Sequence, residues 1–370
     1  MTWPTMDRFA GGPFVSDERF LNEIDNGTPL FQFPEPFTER GTIPTQSVGA
    51  LVWRPKTPSV MQWNLTIERE IGASVVASVS YRGFRSNQLL FQGDINKPYP
   101  SGEAANRNWF RYENFYRVNM MQNGGIHKSH ALDVRLERQF SRGLTFQAGW
   151  TWAKNLTDVP GSYEGGTIEN PYDRRREMAD QYGVNRHRFV GSFLWEIPFG
   201  AGKRYGADLP AILQYTLGNW QFSGAVLFSS GYFLTPRFSG ADPSNTRTWG
   251  GRPDRVGDHK LSNANIDRWF NPGAFAVPPN GRFGNSARGV IVGPGVSNFN
   301  FGLFKYFHVG ERLRVQLRMT ATNFFNHPNF GNPNTNISSR NVGRITRLTG
   351  GSYTLYAGSR NIRLGVRLDF

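Results

Sequence analysis

Ile362-Arg363-Leu364-Gly365-Val366-Arg367-Leu368-Asp369-Phe370 is apolar at every even position, while its odd positions are Arg, Gly, Arg and Asp. Successive side chains of a β-strand point to opposite faces, so this strand has one wholly apolar face, ending in an aromatic, and one charged face. A wall between lipid and a wet lumen demands that pattern over a full span. A tilted strand crosses the bilayer core in roughly 9–11 residues, the length found here. A soluble sandwich offers the same pattern in a single strand, so the rest of the chain must decide.

The alternation returns eight times, over residues 61–70, 73–81, 130–140, 144–152, 188–197, 220–228, 299–307 and 313–325. In residues 130–140, for example, Leu132, Val134 and Leu136 alternate with Asp133, Arg135 and Glu137. The first two stretches predict a hairpin around Ile71-Gly72, and the next two a hairpin around Ser141-Arg142-Gly143. A Gly/Pro-rich connection joins 188–197 to 220–228, and Val309-Gly310-Glu311 joins 299–307 to 313–325. Between these pairs lie long polar segments at 82–128, 153–186, 231–298 and 326–360. Compact soluble domains seldom hold such loops at every second turn, whereas membrane barrels have short periplasmic turns and long extracellular loops. This parity puts the long segments outside the cell and Phe370 on the periplasmic side. Trp63, Tyr81, Trp150, Trp152, Trp195, Trp220 and Tyr306 stand near strand ends, where interfacial girdles are expected.

Composition agrees. The mean hydropathy of −0.49 is too polar for a helical membrane protein, but half of each barrel strand faces water. No run approaches the ~18 apolar residues of a membrane helix. The absence of Cys excludes disulfides, cysteine metal sites and thiol nucleophiles. The net charge of +14 raises nucleic acid as a partner, but Lys and Arg are spread along the chain and alternate with apolar residues instead of forming a stripe. A lumen lining and contact with anionic lipid explain that spread, and a nucleic-acid role is not expected. Residues 1–20 carry no basic region leading into an apolar one and do not form a signal peptide. For an exported barrel this leads to the expectation of a fragment.

Several stretches together resemble the Oar-like branch of the TonB-dependent outer-membrane receptors. They are Gln62-Trp-Asn-Leu-Thr-Ile-Glu-Arg69, Asn170-Pro-Tyr-Asp-Arg174, Arg186-His-Arg-Phe-Val-Gly-Ser-Phe-Leu-Trp-Glu-Ile-Pro-Phe-Gly200, Trp269-Phe-Asn-Pro-Gly-Ala-Phe275, and Asn323-Phe-Phe-Asn-His-Pro-Asn-Phe-Gly-Asn-Pro-Asn334. The resemblance implies a barrel of roughly 22 strands, filled by an N-terminal plug and energised through a periplasmic box that contacts TonB. The chain departs from that pattern in having no carboxypeptidase-like leader, plug or TonB box, so any TonB contact would run through a missing N-terminal part. The expected fold class is all-β, an antiparallel transmembrane barrel segment of about nine C-terminal strands, with residues 60–370 as partial barrel and 1–59 as an irregular extracellular-loop remnant.

No residues suggest catalysis, and no cofactor or metal is expected. The six His lack metal-site spacing, and residues 239–245 read as turn chemistry before they read as a calcium loop. Arg174, Arg175 and Arg176 form the only basic run of three and offer bidentate donors to a carboxylate, a phosphate or lipopolysaccharide. Pairing with acidic neighbours such as Glu177 and Asp180 is the plainer reading. Arg135, Arg314, Arg318, Arg363 and Arg367 fall on the polar strand face and are expected toward the lumen. Phe370 has the form of the signal read by the barrel-assembly machinery in proteins the chain resembles. Energised ligand uptake is the expected function. Surface adhesion or signalling is the alternative, because Asn-, Gly- and aromatic-rich loops also suit cell-surface contact.

Overall fold

Pairing register settles what one strand leaves open. A computed structural model of the chain describes residues 24–25, 28–29, 46–72, 74–103, 111–112, 115–161, 168–309, 313–349 and 358–370. Nine long strands form one antiparallel path in chain order: β1 (Ser59–Glu70), β2 (Val75–Asp94), β3 (Phe115–Ser141), β4 (Leu144–Thr157), β5 (His187–Glu196), β6 (Trp220–Ser229), β7 (Val296–Val309), β8 (Leu313–Thr322) and β9 (Asn361–Asp369). Each of the nine alternating stretches falls on one of them.

Residues directly opposite in a sheet share a face. Ile67 opposes Val79, which opposes Val134, and the row continues through Trp150 and Phe189 to Phe228. A second row runs from Leu144 through Trp195, Phe222, Leu303 and Met319 to Leu364. The apolar sets of all nine strands therefore lie on one continuous face. That face is open, with Ile67 67% and Leu364 80% exposed, and a contiguous apolar surface of this breadth calls for lipid. Aromatic rings tile it: Phe189–Phe228, Phe228–Phe299 and Phe299–Phe325 centroids lie 6.1, 5.0 and 4.9 Å apart. Trp63 lies across Gly83, where a Cβ would come within 2.3 Å of the indole. The opposite face carries Glu68, Ser78 and Arg135 in one row and Ser80, Asp133, Thr151 and Arg188 in another.

The strands outrun their expected bounds on one side. Residues 82–94 and 115–128, expected as polar connection, are β-paired through bulges between Ser86 and Phe91. At about 3.4 Å per residue the 27 residues of β3 span roughly 90 Å, so its outer part stands clear of any bilayer. A short strand, Gln46–Leu51, adds to this outer part in parallel, although residues 1–59 were expected to be irregular; most of that segment lies outside the described residues. β8 ends at Thr322 instead of 325, because Asn323 turns the chain with a φ of 47°. Most of the expected turn at 309–311 is outside the described residues. The connection between β5 and β6 contains a helix, α1 (Ala211–Leu217), which the Gly/Pro-rich reading did not anticipate.

Tyr306 also corrects the girdle. It faces the polar side, where its hydroxyl donates to Gln221 Oε1 at 2.9 Å and accepts from Gln316 Nε2 at 2.6 Å. A phenol with two polar partners gains nothing from lipid. At the path's ends, β1 and β9 each pair on one side only, so the described sheet is open.

Candidate functional site

Beyond the long-segment end of the sheet, the polar segments build an assembly with its own core. Phe270, Ala274 and Phe275 are buried with Leu234 and Ile291, and Trp269 packs against them. The local reason is the sequence Asn271-Pro272-Gly273-Ala274. Asn271 Oδ1 accepts from the Gly273 amide at 3.2 Å and caps a turn of 3-10 helix begun by Pro272. Trp269 Nε1 donates to Val292 O at 2.8 Å. Stretches that carry the family resemblance thus act as scaffold. In the last of them, Asn323 Nδ2 donates to the carbonyls of His327 at 3.0 Å and Gly358 at 2.8 Å.

An ion network holds this assembly to the strand tips. Arg252, 4% exposed, donates from Nε to Glu169 Oε2 at 2.7 Å, from Nη2 to Glu177 Oε1 at 2.9 Å and from Nη1 to Arg176 O at 2.8 Å. Arg288 Nη1 donates to Glu177 O at 2.6 Å. Burial pushes the Glu177 carboxyl above its ordinary value, and Arg252 pulls it back. At the β2 tip, buried Asp94 accepts from the amides of Asn96 and Val118, and Asn96 Nδ2 donates to Tyr112 O and Phe115 O. Lys97 follows, with Nζ donating to Glu169 O at 2.8 Å; burial lowers its pKa.

These groups line a cavity of about 610 Å3. Lys97, Arg117, Arg237, Arg247, Arg252 and Arg288 face it with Asp94, Glu169 and Glu177, so six cations less three anions leave a formal +3. Asn119, Asn334, Asn336 and Trp249 supply amides and an indole that is 70% exposed. Arg247 stacks on Tyr116 at 4.8 Å and Arg117 at 5.5 Å. The arrangement suits an anionic or hydrogen-bonding ligand of modest size. The segments feeding it are far apart in sequence, and among these residues only Glu177, beside the basic run, and Asn334, at the end of the stretch from Asn323, were marked by a local motif; for the rest the only available signal was the basic excess.

The expected site residues fall in three places. Arg174, Arg175 and Arg176 do not converge. Arg174 pairs with Asp158, donates to Gly124 O at 2.7 Å and lies 4.3 Å from the Phe91 ring centroid. Arg176 donates to Gly284 O and stands 3.5 Å from Glu169, while Arg175 is exposed. The expected partners are taken by others: Glu177 by Arg252 and Asp180 by Arg186 at 2.5 Å. A 3-10 turn over Arg174–Glu177 splays the three guanidinium groups, so they form no single anion clamp. Arg135, Arg314, Arg318, Arg363 and Arg367 share the polar face by register. There Arg314 stacks on Tyr306 at 4.3 Å, Arg318 donates to Gln316 and Arg367 to Asp369. Phe370 is 94% exposed just beyond β9. Asp242, in the candidate calcium loop, accepts from Ser244 Oγ and the Thr246 amide, and no metal-holding group of three His, Asp or Glu occurs among the described residues.

No curated protein sequence matches the chain. Among solved structures, it is similar to the outer membrane transporter YddB from Escherichia coli, with TM-score 0.41 and 10% identity over 88% of this chain and 34% of that one. It is also similar to the FrpB iron transporter from Neisseria meningitidis, with TM-score 0.38 and 14% identity over 86% of this chain and 32% of that one. The chain thus spans about a third of the length of these transporters. With a two-faced antiparallel sheet in place and a family model for the outer membrane beta barrel domain matching residues 4–363, the chain belongs to that family and resides in the outer membrane.

Proposed function

We propose that the chain is wall and outer mouth of a TonB-dependent, Oar-like receptor that captures an anionic ligand at the cell surface and imports it without chemical change. The observation that carries this reading is the basic cavity, because it sits where the strand tips meet the loop assembly and its cations come from two separate long segments, 82–128 and 231–298. A surplus of fixed positive charge in a partly enclosed cleft concentrates anions and speeds their capture. The open edges of β1 and β9 support further strands closing a larger barrel, since an unpaired edge in a bilayer leaves backbone groups without partners. On this reading the long segments lie outside the cell, the polar face lines the lumen, and Phe370 serves the assembly machinery.

Citrate and a neutral trisaccharide, offered to the receptor in vesicles, test the ligand class. Citrate binding that falls at least tenfold in Lys97→Glu, with the trisaccharide ignored by both proteins, is the expected result. Loss of radiolabelled citrate uptake by cells treated with a protonophore tests the energised step. Surface adhesion has one observation in its favour: Tyr99 and Tyr172 stack at 3.9 Å, and Tyr99 is 71% exposed, a platform suited to a sugar ring. Trisaccharide binding lost on Tyr99→Ala, with citrate ignored, would favour it.

A further inference from the structure

Helix α1, at the end of the sheet opposite the loop assembly, is inside out. Its one long polar side chain, Gln214, turns inward and donates to the carbonyls of Gly206 at 2.7 Å and Ala207 at 2.9 Å. Ile212, Leu213, Tyr215 and Leu217 turn outward, and Ile212 is 78% exposed. Seven residues are too few for a helix to persist in water on its own, and an apolar outer side makes water a poor surrounding.

Two side chains tie this helix to the apolar face of the sheet. Trp220 Nε1 donates to Thr216 O at 3.0 Å, and Lys305 Nζ donates to Gly218 O. Trp220 opposes Lys305, which opposes Leu317, and Leu317 opposes Val366, so both ties belong to the apolar rows. Lys305 is 3% exposed, with its ammonium 5.2 Å from the centroids of both the Trp220 and Phe307 rings. A lysine on a lipid-facing row is costly unless its charge is led to a polar group. Here the end of α1 supplies that group, which explains why Lys305 is tolerated. α1 is therefore fastened to the apolar face of the sheet with its own apolar side outward, and Lys203, Arg204 and Tyr205 precede it in the chain.

We propose that α1, with Trp220 and the buried Lys305, is a membrane foot lying in the headgroup–acyl boundary of the leaflet opposite the loop assembly. Its occupant is phospholipid, because the surface it extends is the lipid-facing one and because its Trp, Tyr and aliphatic side chains match what that boundary takes up. This inference rests on the apolar face of the sheet meeting lipid.

The chain contains no Cys, so Ile212→Cys and Leu364→Cys each give a single labelling position in this part of the protein. Each variant, in the full-length protein, is labelled with a fluorophore and reconstituted in phosphatidylcholine vesicles brominated near the headgroup. Heat-modifiable migration confirms folding. Quenching of both labels by brominated lipid is expected. If Leu364 is quenched and Ile212 is not, the foot is refuted while the barrel stands. That holds whether the Ile212 label is open to aqueous iodide or shielded from it by a plug or a second copy. If neither label is quenched, the lipid-facing assignment fails and the foot fails with it.

Discussion

The sheet and the loop assembly are held together in opposite ways. In the sheet, neighbouring residues along the chain face different media, and cohesion comes from ladder hydrogen bonds and cross-strand contacts between open side chains. The assembly instead hides its charges: Arg252 and Glu177, 4% and 2% exposed, meet across 75 residues of sequence with Glu169 beside them. A membrane wall borrows its apolar environment from lipid, whereas a water-facing mouth must generate its own. The assembly should therefore fail when one internal partner is removed, and the sheet when one face is given the other's chemistry.

The largest effect is expected from Arg252→Ala. It takes from buried Glu177 its cation partner and leaves Glu169 with only Arg176 at 3.5 Å, a change that costs about 3–5 kcal/mol when a buried pair is broken. Limited proteolysis should then cut within residues 231–298 while heat-modifiable migration of the barrel persists. If barrel and loops were lost together, the two regions would not be separable. Next comes Asp at Val134, Leu317 or Leu364, which places charge on the apolar face at a cost below the about 2–4 kcal/mol of a basic residue at the midplane. Asp at Arg135 or Arg363 should be tolerated. Equal yields of folded protein in vesicles from both sets would remove the distinction between faces.

The sheet was legible because its rule is local. A period of two survives in any window of eight residues, so Ile362 to Phe370 already displays the two faces that register later joins across nine strands. Tyr306 escaped because its partners, Gln221 and Gln316, come from other strands, and an aromatic near a strand end reads the same whether it meets lipid or two amides. Lys305 escaped for the converse reason: its position on an apolar row makes sense only with α1 beneath it. In the assembly, the motif Trp269 to Phe275 was visible, but its role as core was not, because burial there depends on Leu234 and Ile291 arriving from distant segments. The basic run Arg174 to Arg176 read more plainly as pairing with acidic neighbours than as an anion site, but the partners Asp158 and Glu169 could not be told from Glu177 and Asp180 before a 3-10 turn splayed the side chains.

A smaller effect separates the regions by pH. The hydrogen bond from Arg282 holds the Asp254 carboxyl below its ordinary value of 3.8. A carboxylate depressed in the folded state contributes stability that is present above the unfolded value and is lost as pH falls through the folded one. Glu177, raised by burial, acts in the other direction: its charged form is the disfavoured one, so that penalty fades on acidification. Comparing Asp254→Asn with the parent isolates the first contribution. Protease protection of the assembly in the parent should weaken below about pH 4, and the variant should be weaker at pH 7 but flatter with pH. An unchanged acid profile in the variant would assign the loss to another carboxylate.

The smallest effect bears most directly on what the polar face meets. Asp133 accepts from Arg82 Nε and Thr151 Oγ1, each at 2.7 Å, and so links β2, β3 and β4 in one cross-strand row. The Arg82 side chain is 62% exposed and that of Asp133 22%. If the face looks into water, such a pair is screened and is worth roughly 0.2–1 kcal/mol. Urea unfolding of Arg82→Ala in vesicles should then differ from the parent by no more than that, and the difference should shrink in high salt. In a dry surrounding the same substitution would leave Asp133 charged with a single hydroxyl partner, at a loss of several kcal/mol that salt barely touches. A large, salt-insensitive loss would mean that lipid or tightly packed protein covers this face. Arg135, Arg314, Arg318, Arg363 and Arg367, which share it with Arg82 and Arg188, would then belong to a protein contact and not to a wet lumen.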